Sequence, residues 1–369
     1  MGGNQKESEE SMSPQSGTSR TFRRRVMLTL LVVAVVLLVL VGAFELNGTL
    51  TDRRAKISPS SSTTPSQNGP ASKTPVAQAS PLLVGTNLGL FTGNDQVITS
   101  ATTRALMQQI HIHIVRIPLR PDLPNSIEVQ AEQAVKSIGA IPLVVLNGLR
   151  DTHALADDTR MIRDSNAVFG NGLVYYEFGN EDDWNGVPIT RYTQGWNTLM
   201  PAFKRLARHG KFIGPVSYQY NHDNLTTFLR SANPRPDAIS WHEYTCSYKD
   251  PAATCLAQID RWTAHITDAR AVMQATLGAT LPVMITEWNY AADQSTQSNG
   301  LPFNDGKYNN ASFLRTWTEK ALSTLAANQV FASMQYSVTN TALPLIANDN
   351  TLTIQGIMFQ SLYQTMVRH

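Results

Sequence analysis

The chain has 369 residues, 42% of them hydrophobic and 16% charged, enough apolar material for a sizeable core and too much for a wholly disordered protein. Thirty Lys and Arg against 28 Asp and Glu leave a formal charge of +2. No basic block interleaved with aromatics runs through the body, which speaks against nucleic-acid partners. Two cysteines exclude a disulfide scaffold, and no CxxC pair points to zinc.

Val26 to Phe44 is a run of 19 residues without a charge. As a helix it would be about 28 Å long, close to the hydrocarbon thickness of a bilayer. Arg20, Arg23, Arg24 and Arg25 directly before it favour a cytoplasmic N-terminus and an exported remainder, although Arg53, Arg54 and Lys56 weaken the bias. The polar leader and the length of the run favour an uncleaved anchor over a signal peptide cut near Val41-Gly42-Ala43. From Ile57 to Pro81, 15 of 25 residues are Ser, Thr or Pro, so this stretch reads as an extended, disordered stalk. The expected organisation is a tail over 1–25, an anchor over 26–44, a stalk over 45–81 and one folded domain over 82–369.

Within that domain, short apolar or β-branched runs predict strands at Leu82–Leu90, Ile114–Leu119, Ile141–Asn147, Leu173–Gly179, Phe212–Tyr218, Ala238–Tyr244, Pro282–Trp288 and Val330–Val338. Helical spacing appears between them, at Ser126–Ser137, Arg191–Arg208, Ile259–Leu277 and Phe313–Ala327. Strands alternating with helices imply parallel pairing through right-handed crossovers. Eight of them in a domain of this length predict the α/β class and a (β/α)8 TIM barrel. A doubly wound open sheet is the alternative, but Val84-Gly85-Thr86-Asn87-Leu88-Gly89 lacks the third glycine of a phosphate-binding turn.

Catalytic groups of such barrels sit at the C-terminal strand ends. Those ends carry Asn87, Arg116, Asn147, Asn180-Glu181, His242 and Tyr244, Glu287-Trp288, and Gln335-Tyr336. Glu181 and Glu287 each end an apolar strand, where solvated charge is costly without a partner or a task. The fourth and seventh strands would place them across the mouth from each other.

The ordered set Gly179-Asn180-Glu181, His242-x-Tyr244, Thr286-Glu287-Trp288 and Arg116 resembles the retaining glycoside hydrolases of clan A, whose catalytic glutamates lie on strands four and seven. The resemblance spans Leu82–His369, and Thr286-Glu287-Trp288-Asn289 is nearest the β-xylosidase-like and iduronidase-like members. It implies Glu181 as acid/base, Glu287 as nucleophile, Asn180 as donor to a sugar 2-hydroxyl, Tyr244 as the group orienting Glu287, and Arg116 as the cation keeping Glu287 ionised. The implied partner is an oligo- or polysaccharide, cleaved at a β-glycosidic bond with retention and without metal or organic cofactor. Asp182 and Asp183 depart from the clan, where a proline commonly follows the Asn-Glu pair. Strand eight lacks the usual tryptophan, so Gln335 or Tyr336 would have to underlie the sugar.

Around the two carboxylates, the expected substrate-binding residues are Asn180, Arg116, His242, Tyr244, Asn147, Tyr336, Trp184 and Trp288, the tryptophans offering faces on which sugar C–H groups stack. Other readings stay open. Glu181 could cap a helix beginning near Asp183, and Glu287 could be a buried structural partner of Arg116. Glu177, two strand periods before Glu181, should point into the barrel and pair with Arg116. Glu243 has the opposite parity to His242, should face a helix or the rim, and is the substitute carboxylate. His111-Ile112-His113 lies at the barrel's bottom, where packing is favoured over metal binding. Trp196, Trp241, Trp262 and Trp317 should pack in the core. Cys246 and Cys255, in the loop after strand six, are expected to pair as a rim disulfide if the domain is exported, two free thiols being the alternative. A non-catalytic carbohydrate-binding barrel and an inverting hydrolase of the same fold are the alternative functions.

Overall fold

The computed structural model describes residues 79–149, 154–292 and 301–367, all of them within one compact unit, Thr74–His369. The expected tail and anchor, and the stalk up to residue 78, lie outside the described residues. Among the described residues no helix is long and apolar enough to cross a membrane.

Eight strand–helix pairs follow one another: β1 (Gly85–Asn87) and α1 (Ala101–Gln109), β2 (Ile114–Ile117) and α2 (Asn125–Ser137), β3 (Ile141–Leu146) and α3 (Ala154–Phe169), β4 (Val174–Phe178) and α4 (Ile189–Leu206), β5 (Gly210–Ser217) and α5 (His222–Ser231), β6 (Ala238–Tyr244) and α6 (Asp260–Leu277), β7 (Val283–Asn289) and α7 (Ala311–Ala327), β8 (Ala332–Gln335) and α8 (Ile354–Met366). The strands pair in parallel in sequence order, and β1 pairs with β8 to close the barrel. The expected (β/α)8 barrel is therefore the observed fold. The helices form where expected because their apolar residues recur on one side. In α4 the buried Tyr192, Trp196, Met200 and Phe203 lie three or four residues apart. Local chemistry sets the ends. Asn310 Oδ1 accepts the Phe313 amide at 3.0 Å to start α7, and Gly278, at φ 70°, terminates α6.

Strand alternation divides the core in two. Ile114, Leu143, Val145, Tyr175, Ile213, Met284 and Met334 fill the barrel. Their outward-pointing neighbours, with Trp196, Trp241, Trp262 and Trp317, pack against the helix ring, as expected for those four tryptophans. One irregularity matters for function. Ser240 pairs with Met284 and Trp241 with Ile285, but His242 then pairs with Glu287, so Thr286 is an extra residue in β7. Strict alternation from the inward Met284 would turn Glu287 out and Trp288 in. The extra residue reverses both.

Trp288 is consequently not at the substrate face. It is fully buried behind the strand, stacked on Trp317 and Phe359 with ring centroids 5.9 Å away in each case. Tyr290 follows it to the same side, against Phe313 and Trp317. At the opposite end of the barrel, His111 stacks on Tyr363 at 4.1 Å and His113 Nε2 lies 3.0 Å from the Tyr363 hydroxyl. Both histidines are engaged in packing there. Cys246 and Cys255 form a disulfide that ties the segment after β6 to the short helix Ala252–Gln258.

Candidate active site

Arg116, on β2, organises the mouth of the barrel. It is buried, and its guanidinium makes four hydrogen bonds to four partners. Nε donates to Glu177 Oε2 at 2.5 Å and Nη2 to Asn180 Oδ1 at 2.5 Å. Nη1 donates to Asn87 Oδ1 at 3.1 Å and to Glu287 Oε1. The expected Arg116–Glu177 pair is therefore present, and Glu177 lies inside the barrel beneath the cleft. Burial alone would lower the guanidinium's pKa, but the charges of Glu177 and Glu287 outweigh it and raise it further, so the group stays cationic.

Glu287 is held at both oxygens, by Arg116 at Oε1 and by the Tyr244 hydroxyl, which donates to Oε2 at 2.6 Å. Burial would push its pKa up, but His242, Arg116 and the Tyr244 hydrogen bond together bring it below the ordinary glutamate value of 4.5. Tyr244 is itself raised well above its usual range, by burial first and by the adjacent carboxylates second, so it remains a donor. His242 Nδ1 lies 2.7 Å from Glu181 Oε1 and 3.6 Å from Glu287 Oε2. Its burial disfavours the charged ring, yet the two glutamates prevail and raise its pKa.

Glu181 reaches this cluster through an uncommon backbone. Gly179 has φ 84°, and a Cβ there would meet Asp182 Oδ2 at 2.8 Å. Glu181 itself has φ 51°, a left-handed conformation that costs a non-glycine residue on the order of 1–3 kcal/mol. Its amide donates to the Val216 carbonyl at 3.0 Å, and Val216, at φ 57°, is a β-branched residue in the same strained region. Glu181 does not cap a helix side chain to backbone: residues 182–186 form turns and α4 starts only at Ile189. Asp183 is occupied elsewhere, accepting the Tyr218 amide at 3.1 Å.

The cleft over these groups has a volume of about 490 Å³ and is lined by Arg116, Asn147, Asn180, Glu181, Trp184, Tyr244, Glu287 and Tyr336 among others. Of the expected site residues, His242 sits directly beneath it and Trp288 lies apart. Asn147 is pinned by Asp158, whose Oδ1 accepts its backbone amide at 2.7 Å and its side-chain amide at 3.1 Å. Of the two strand-eight candidates, Tyr336 lines the cleft. Gln335 is turned to the helix side, donating to the Leu343 carbonyl and Gln355. Glu243 also faces outward, between Trp241 Nε1 and His265. Tyr218 and Arg120 line the cleft without having been expected. Tyr218 directly follows β5 and ends the strand expected at Phe212–Tyr218, where the strand-end rule would have found it. Arg120 lies past the end of β2, where no motif marks it.

Glu181, His242 and Glu287 each present a ligand atom, and the three atoms lie within 4.8 Å of one another. A cation could use such a set, but both Glu287 oxygens already accept hydrogen bonds and Arg116 supplies the positive charge. The arrangement is better suited to proton transfer and nucleophilic attack by two dissimilar carboxyl groups. One is clamped and ionised, the other is tied only to an imidazole.

No protein-family model matches the sequence, and no curated protein matches it. Solved structures do. A GH51 arabinofuranosidase from Xanthomonas axonopodis pv. citri superposes with a TM-score of 0.60 at 15% identity, covering 79% of this chain and 74% of that one. A monomeric β-xylosidase from Caulobacter crescentus gives 0.55 at 13% identity, over 78% and 69%. A bacterial orthologue of human α-L-iduronidase gives 0.52 at 14% identity, over 78% and 57%. At these identities the likeness establishes architecture: this chain has the eight-stranded parallel α/β barrel on which those enzymes are built.

Proposed function

We propose that the domain is a glycoside hydrolase that cleaves a β-glycosidic bond with retention, Glu181 acting as acid/base and Glu287 as nucleophile. One observation carries this reading: an oxygen of each carboxylate lies within 4.8 Å of the other across the barrel mouth, in unlike surroundings. Retention requires carboxyl groups about 5–5.5 Å apart, whereas inversion requires roughly 6.5–9.5 Å to admit a water. The glycosidase neighbours support the same reaction class.

In the first step Glu287 Oε attacks the anomeric carbon while the bond to the leaving oxygen breaks and Glu181 protonates that oxygen. Water then attacks the same carbon, giving its proton back to Glu181 and releasing Glu287. Arg116 and Tyr244 stabilise the ionised nucleophile. Asn180, its carbonyl oxygen committed to Arg116, donates to the sugar 2-hydroxyl. His242 Nδ1, 2.7 Å from Glu181 Oε1, holds that carboxyl group in place, Trp184 and Tyr336 supply stacking faces, and Asn147 a polar contact. Side chains and water complete the cycle, with no cofactor.

Glu181→Gln and Glu287→Gln should each lower turnover of aryl glycosides at least about a hundredfold. Proton NMR of the first-formed sugar should show the anomeric configuration of the substrate. Wild-type rates in both variants would leave a carbohydrate-binding barrel as the better account, and an inverted product would point to the single-displacement alternative. We also propose that the domain acts outside the cytoplasm, tethered through Val26–Phe44. The charge-free run with preceding arginines and a disulfide at the rim support that placement.

A further inference from the structure

A second cavity of about 470 Å³ adjoins the cleft, and Trp184 and Tyr218 line both. Its walls come from the segment that follows Glu181 and from the start of α5, with the amides of Gln219, Asn221 and Asn224 on one side and Val187 and Pro188 on the other. Both volumes fall in the range of ligand sites, about 300–1,000 Å³. Trp184 is 69% exposed, which leaves an indole face open for stacking. An aromatic row connects the two spaces: Trp184 lies 4.7 Å from Tyr218 by ring centroids, Tyr218 lies 6.2 Å from Tyr244, and Tyr244 holds Glu287. Aromatic faces flanked by amide side chains are what a sugar ring needs, apolar C–H faces to stack and hydroxyls to hydrogen-bond.

Position decides which part of the substrate belongs there. A general acid must sit beside the oxygen it protonates, so the leaving group extends from the Glu181 side of the scissile bond. The second cavity opens on that side, over β4 and β5. We infer that it binds the leaving-group portion of an oligosaccharide, so that the preferred substrate is a carbohydrate chain extended toward its reducing end by at least two units beyond the cleaved bond. This rests on the glycosidase assignment and adds the substrate's form to it.

The test compares 4-nitrophenyl β-xyloside, β-glucoside and α-arabinofuranoside with xylo-, cello- and laminari-oligosaccharides of two to five units, using the full chain. For the sugar turned over, kcat/KM should rise at least about tenfold from disaccharide to trisaccharide. Asn224→Trp, which fills the cavity, and Trp184→Ala, at an exposed position, should each lower kcat/KM on the trisaccharide at least about tenfold more than on the aryl glycoside. Equal losses on both substrates, or wild-type rates that do not depend on chain length, would overturn the inference while leaving hydrolysis intact. If neither kind of substrate is cleaved, the glycosidase reading itself fails and this one with it. Trp184→Ala keeps the test usable should Asn224→Trp not fold.

Discussion

Glu287 is the residue whose chemistry the surroundings most clearly set. Its pKa lies below 4.5, so its ionised form persists as pH falls to that lower value, and only then does the proton return. The acid limb of kcat/KM should therefore fall below pH 4.5, and the same group contributes folding stability that is fully present above that ordinary value and is lost as pH falls from it through the folded pKa. Tyr244→Phe removes one of the two clamps on the carboxylate. A hydrogen bond to a charged group contributes about 1.5–3 kcal/mol, so this variant should lose at least about tenfold in kcat/KM and move the acid limb upward. An unmoved limb with an intact fold would show that the hydroxyl does not govern Glu287. Arg116 differs, because it pairs with two buried carboxylates at once. Arg116→Met should cost on the order of 3–5 kcal/mol of stability, measured by denaturant unfolding.

At the scale of the element, β7 turns on a single residue. Because Thr286 is the extra residue opposite β6, deleting it should leave Ile285 out, Glu287 in and Trp288 out by plain alternation. The variant should therefore fold and keep measurable turnover; loss of turnover with an intact fold would show that the bulge itself sets the reach of Glu287. Trp288→Ala, which only vacates the pocket between Trp262, Trp317 and Phe359, should destabilise by about 3–5 kcal/mol. If instead it changed KM for a sugar while leaving the melting temperature alone, Trp288 would have to reach the cleft. This strand also shows where the sequence stops being legible. The eight strands, the order of their ends and the inward Glu177 follow from apolar runs and period-two alternation. A bulge has no such signature, since Met-Ile-Thr-Glu-Trp reads equally well in either register. The turned backbone of Glu181 and Val216 was likewise hidden, because a left-handed glutamate or valine is dictated by neighbouring strands and not by its own preference.

For the whole molecule, the disulfide and the N-terminal run carry separate expectations. Cys246 and Cys255 are nine positions apart, and closing so short a loop contributes about 2–3 kcal/mol. Reduction with dithiothreitol should therefore lower Tm by about 5 °C at unchanged secondary structure. An unchanged Tm would mean that the link does not restrain the unfolded chain. Full-length protein expressed in a bacterial host should sediment with membranes, and deletion of 26–44 should release it. A shortened soluble product from the intact gene would favour the cleaved leader instead. The amide of Glu181 is anchored to the carbonyl of Val216 on the neighbouring strand, while its own carbonyl accepts the amide and the side chain of Asn185 from the descending loop. The carboxylate proposed as proton donor is thus gripped from both sides, by the barrel and by the segment running to Pro188. Exchanging that segment for another should therefore preserve the spacing of the two carboxylates only if a residue able to replace Asn185 goes with it.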